Sequence, residues 1–96
     1  MPAFITLASF TDQGARNIKD SPARFQAFKA AAEAAGVAVR SVHWTTGAYD
    51  LVLVLEGPEE AVMTVALKTA ALGNVRTNTL RGFTLDEMKK LVAAMG

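Results

Sequence analysis

The sequence contains no cysteine and only one histidine. The lack of cysteine excludes disulfides and thiolate chemistry and leaves the redox compartment open. Together the two scarcities exclude a closed zinc site within one chain, because a lone imidazole and scattered carboxylates do not supply a tetrahedral ligand set. No acidic cluster offers the oxygen cage that calcium or magnesium needs. Neither a metal nor a cofactor is therefore expected. Charge of one sign is also lacking: 10 Lys and Arg are interleaved with 9 Asp and Glu, leaving a formal net charge of +1. Without a basic block there is no electrostatic footprint for nucleic acid or an anionic membrane. No apolar run exceeds that of residues 51–55, far below the ~20 residues of a bilayer span. Met1-Pro2-Ala3-Phe4 lacks the basic stretch that opens a signal peptide. A cytoplasmic protein is the expectation.

Apolar surface, by contrast, is abundant. The 96 residues suit a single domain, 1–96, with one core. Yet 51% of them are hydrophobic and the mean hydropathy is +0.23, which is rich for so small a domain. The excess is densest in Leu51-Val52-Leu53-Val54-Leu55. A strand in a half-solvated sheet alternates apolar and polar residues. This one does not, so both faces of its sheet need cover. A chain this short has helices for one face only. The other is expected to meet a second copy, making a homodimer or higher homo-oligomer through the open sheet face.

The remaining patterns place the elements. Residues 4–10 alternate as a strand, with Phe4, Thr6, Ala8 and Phe10 on one side. Thr11 or Asp12 caps a short helix over 13–19. Ser21-Pro22 then starts a second helix, with Ser21 as N-cap, an inner stripe of Phe25, Phe28, Ala32 and Ala35, and a stop at Gly36. Two strands, 37–45 and 50–56, form a hairpin that pairs Trp44 with Leu51 and His43 with Val52. Pro58-Glu59-Glu60 opens a third helix with inner residues Val62, Val65, Ala66 and Thr69, ending at Gly73. A fourth strand covers 75–80. Thr84 and Glu87 have the spacing of a capping box, and Phe83 and Met88 that of a hydrophobic staple, before an apolar face of Leu85, Met88, Leu91, Val92 and Met95. The order is β-α-β-β-α-β with a C-terminal helix. It predicts an α+β, ferredoxin-like antiparallel sheet with helices on one face and strand order 4-1-3-2.

Thr11-Asp12-Gln13-Gly14, Gly47-Ala48-Tyr49-Asp50, Gly73-Asn74-Val75-Arg76-Thr77 and Phe83-Thr84 resemble the GYD-domain family, over almost the whole chain. The resemblance implies a ferredoxin-like fold that assembles through its sheet, as in dimeric α/β-barrel proteins. It implies no particular reaction, since fold does not choose a function.

Several residues are candidates for a site. His43 can act as acid or base near neutral pH. The hairpin register puts it on the same sheet face as Asp50, whose carboxylate could orient the imidazole; alternatively Asp50 caps the turn. No nucleophile motif accompanies the pair. Tyr49 could reach a ligand or cover the hairpin end. Trp44 reads as core or interface. Arg76 could hold a carboxylate by a bidentate pair, or a salt bridge with Asp12 or Asp50. Asp12, in a loop at the end of a central strand, and Thr6 complete the ligand-binding candidates. Two functions are compatible with this set. The first is a small-ligand-binding or assembly module. The second is a cofactor-free, monooxygenase- or isomerase-like enzyme using His43 with Asp50.

Overall fold

Alternation in the first segment makes β1 (Ala3–Phe10), which buries Phe4, Thr6 and Ala8 on one side and half-exposes Ile5, Leu7 and Ser9 on the other. The structure is a computed structural model and describes every residue, Met1–Gly96. β1 runs antiparallel between β3 (Leu51–Glu56) and β4 (Val75–Gly82), and β2 (Ala38–Trp44) pairs with the outer side of β3. The sheet order β2-β3-β1-β4 is the expected ferredoxin-like one, and the sheet is open. Trp44 faces Leu51 and His43 faces Val52, as the hairpin register predicts.

Two helices, α2 (Ser21–Ala34) and α3 (Glu59–Ala71), cover one face. The core lies between them and the sheet: Phe4, Ala8, Leu51, Leu53 and Leu55 from the strands, Ala32 from α2, and Val62 and Val65 from α3. β2 keeps both Val39 and Val42 against this core because a bulge at Arg40 shifts the register between Val39 and Ser41. One extra residue reverses the side-chain alternation, which is why this strand alternates imperfectly in sequence. Arg40 itself pairs with Glu56 at 3.0 Å.

Some local expectations are corrected. The short helix of 13–19 is instead α1 (Asp12–Arg16) followed by a 3-10 turn, Ile18–Asp20. Asp20, not Ser21, occupies the N-cap of α2. Ser21 is buried, and its hydroxyl accepts the indole N–H of Trp44 at 3.0 Å. Ala35 is the exposed C-cap of α2 and not part of its inner stripe.

The C-terminal helix α4 (Leu85–Ala94) has the expected capping box: Thr84 Oγ1 accepts from Glu87 N–H, and the Glu87 carboxylate accepts from Thr84 N–H. Its apolar face finds no cover. Leu85, Met88, Leu91, Val92 and Met95 are between 47% and 83% exposed. The staple partners Phe83 and Met88 are also exposed, and Phe83 lies under the Arg81 guanidinium instead, 4.3 Å from its carbon. No helix is long and apolar enough to cross a membrane.

Candidate functional site

The polar motifs of the sequence converge at one end of the sheet, where β1 ends and β4 begins. Thr11 caps α1, accepting the Gly14 N–H, and donates its hydroxyl to the Gly73 carbonyl at 2.6 Å. The Thr11 N–H donates to the Asn74 carbonyl at 3.1 Å. The Gln13 amide donates to the Leu72 carbonyl and to Asn74 Oδ1, at 3.1 and 2.9 Å. Gly14 presses so close to Asn74 that a Cβ there would sit 2.0 Å from its carbonyl oxygen. The hairpin motif joins from β3: Asp50 Oδ2 accepts the Phe10 N–H at 2.8 Å, and the Asp50 N–H donates to the Ala8 carbonyl at 2.8 Å. These segments, distant in sequence, are therefore stitched to each other through backbone groups that would otherwise lack partners.

That stitching decides where the candidate residues stand. Asp50 is committed to Phe10, and no hydrogen bond joins it to His43. His43 is exposed on the open sheet face beside Val52. Tyr49 is half-buried, and its carbonyl accepts the Thr45 hydroxyl at 2.6 Å. Asp12 is exposed in the first turn of α1. Arg76 is exposed on β4 and forms no salt bridge with Asp12 or Asp50; the ion pairs of the chain are Arg40–Glu56 and Arg81–Glu87. Trp44 points the opposite way from His43, toward α2, with its ring edge-on to Phe25 at 5.8 Å. Thr6 is buried beneath the helices and shares a hydrogen bond with Thr79 across to β4.

Two surfaces remain that are shaped for a partner. On the open face Ile5 lies between Val54 and Leu80, and Leu7 lies beside Val52. Together they make a contiguous apolar patch with no helix over it. On the helix side a cavity of about 360 Å³ separates α2 and α3 above the sheet. Thr6, Ala8, Leu51 and Leu53 form its floor, Phe25 and Phe28 one wall, and Val65 and Thr69 the other. Arg24 from α2 and Lys68 from α3 also line it. Of the residues expected to bind a ligand only Thr6 lines this space, with Trp44 just behind its wall. Arg24 and Lys68 carry no motif; the signal present in the sequence is the run of small Ala27, Ala30 and Ala31 around two phenylalanines, which cannot fill the space above a wide sheet.

A four-stranded antiparallel sheet with paired helices on one face defines an α+β protein of ferredoxin-like class. The particular family follows from comparison. The family model for the GYD domain matches residues 4–92, and the chain belongs to that family. It is 33% identical over 90 residues to the Thermus thermophilus protein named "Glutamine synthetase and cystathionine beta-lyase binding protein", covering 92% of this chain and 95% of the relative. Its fold is also similar to the crystal structure of TTHA0845, likewise from Thermus thermophilus, with a TM-score of 0.54 and 25% identity over 88% of this chain and 95% of that one.

Proposed function

We propose that this protein is a binding module that acts through protein–protein contact, assembling as a homo-oligomer on its open sheet face. One observation carries the proposal: the patch of Ile5, Leu7, Val52, Val54 and Leu80 has nothing over it within the chain, although it forms the reverse of the main hydrophobic sheet. Apolar patches of this kind mark interaction sites in soluble domains. A copy of the same sheet is the simplest complement, since a two-fold interface brings each patch onto itself. The exposed apolar face of α4 adds a second surface for the assembly or its partners. The name of the Thermus relative supports a role in binding other proteins, and enzymes of the glutamine synthetase and cystathionine beta-lyase types are the first partners to test.

Light scattering after size exclusion at micromolar concentration tests the assembly. An oligomer is expected from the wild type and a folded monomer from Leu7→Asp. A wild-type monomer would refute sheet-mediated assembly. Titration against the two enzyme types then tests partner binding.

A further inference from the structure

We infer that the cavity between α2, α3 and the sheet is a binding site for a small apolar monocarboxylate, with its apolar body on the sheet and its acid group between Arg24 and Lys68. The cavity lies on the opposite side of the sheet from the proposed interface, so the inference stands apart from it.

Size comes first. A dry cavity of about 150 Å³ accommodates benzene; the roughly 360 Å³ here suits a one- or two-ring molecule or a medium-length chain. The walls set its polarity. Phe25 and Phe28 face the core yet stay half-exposed, because the side they would pack against is empty space. Of the hydroxyls that line it, Thr6 pairs with Thr79, Ser21 accepts from Trp44 and Thr69 donates to the Val65 carbonyl at 2.8 Å, which leaves Thr77 alone without a partner. A polar tail would find few partners there, whereas an apolar one would shed water from aromatic and aliphatic surface.

Charge sets the head group. No acidic residue lines the cavity, and its two cations have no carboxylate partner in the chain. Arg24 donates to the Asn17 and Gly14 carbonyls, at 2.7 and 3.3 Å. Those bonds use two of the five N–H groups of a guanidinium and hold it in place. Lys68 lines the cavity from α3, is exposed, and makes no side-chain hydrogen bond or ion pair. Arg24 on α2 and Lys68 on α3 thus offer a carboxylate two cations, one from each helix that bounds the cavity.

The lone Trp44 supplies the reporter, since its ring meets Phe25 and its N–H meets Ser21, both of which line the cavity. Octanoate, octan-1-ol and octylamine share a chain and differ in head group. Trp44 fluorescence and calorimetry should show saturable binding of octanoate, about tenfold tighter than octanol, with octylamine weaker still. Lys68→Gln removes no contact within the protein and should weaken octanoate several-fold while leaving octanol unchanged; Arg24→Gln with Lys68→Gln should abolish the preference. Val54→Asp, on the other side of the sheet, should leave binding intact. Equal affinity for all three ligands, no saturable binding, or a loss caused by Val54→Asp and not by Lys68→Gln would each overturn the assignment.

Discussion

Asp50 holds the backbone N–H of Phe10 on its carboxylate at 2.8 Å, tying the start of β3 to the end of β1. The residue best placed in sequence to partner a catalytic histidine is thus a structural clasp. Its removal leaves a half-buried amide unpaired, and hydrogen bonds to charged groups contribute about 1.5–3 kcal/mol. Asp50→Ala should lower unfolding stability by that amount in urea denaturation. Asp12→Ala, at an exposed position outside the clasps, should change it by less than about 1 kcal/mol. Equal effects from the two would show that the Phe10 contact contributes nothing special.

Gly14 and Gly47 differ in why they must be glycine. A Cβ on Gly14 would meet the Asn74 carbonyl oxygen at 2.0 Å, so Gly14→Ala forces backbone apart, and overpacking of this kind costs about 1–3 kcal/mol. Gly47 has φ +118° with open space around it. Gly47→Val should also destabilise, by about 1–3 kcal/mol of local strain, but without disturbing the neighbouring strands. Amide chemical shifts separate the two: Gly14→Ala should perturb residues 72–75, Gly47→Val only the hairpin end.

Leu53 and Val54 are adjacent and point to opposite faces. Leu53 is 6% exposed under the helices, whereas Val54 is half-buried on the open face. Leu53→Asp places an unpaired charge in the core and should unfold the protein, a loss above about 4 kcal/mol. Val54→Asp should keep the monomer fold by circular dichroism while shifting the mass in solution to a single chain. A folded oligomer from both variants would contradict the idea that both faces are covered.

The α4 cap should respond to acid. The Thr84 N–H holds the Glu87 carboxyl below its ordinary 4.5, with the Thr84 hydroxyl and the Arg81 guanidinium acting the same way and desolvation opposing them. A depressed carboxyl pKa stabilises the folded form above the unfolded value. Its contribution is therefore intact above pH 4.5 and lost as pH falls through the lower folded value. Protection of the α4 amides, taken relative to the intrinsic exchange rate at each pH, should fall below that point, and Glu87→Gln, which can still complete a capping box, should flatten the pH response. Unchanged protection on acidification would sever the link between Glu87 and the helix start.

Much of the fold was legible because it rests on local patterns. The period-two alternation of residues 4–10, the uninterrupted apolar run of 51–55 and the Thr84–Glu87 spacing each reflect contacts within a strand, a hairpin or one helical turn. The Ser21 hydroxyl suits an N-cap in isolation; only the approach of Trp44 from β2 redirects it. The bulge at Arg40 likewise blurs β2, since one inserted residue breaks the alternation without any Gly or Pro to announce it. Little of the cavity was legible: Thr6 shows itself by strand alternation, but Arg24 and Lys68 sit on separate helices whose facing no local pattern reveals.

The sequence by itself determined the element order, the strand order, the hairpin register and the sheet's surplus of apolar surface, because periodicity and turn chemistry act over a few residues. Tertiary structure decided the rest. It turned Asp50, Thr11 and Gln13 into clasps, since their partners Phe10, Gly73 and Asn74 arrive from remote segments. It opened a cavity between two helices whose alanines and phenylalanines do not fill the width of the sheet, and it brought Arg24 and Lys68 into its lining. Long-range packing, which no local pattern encodes, places those groups together.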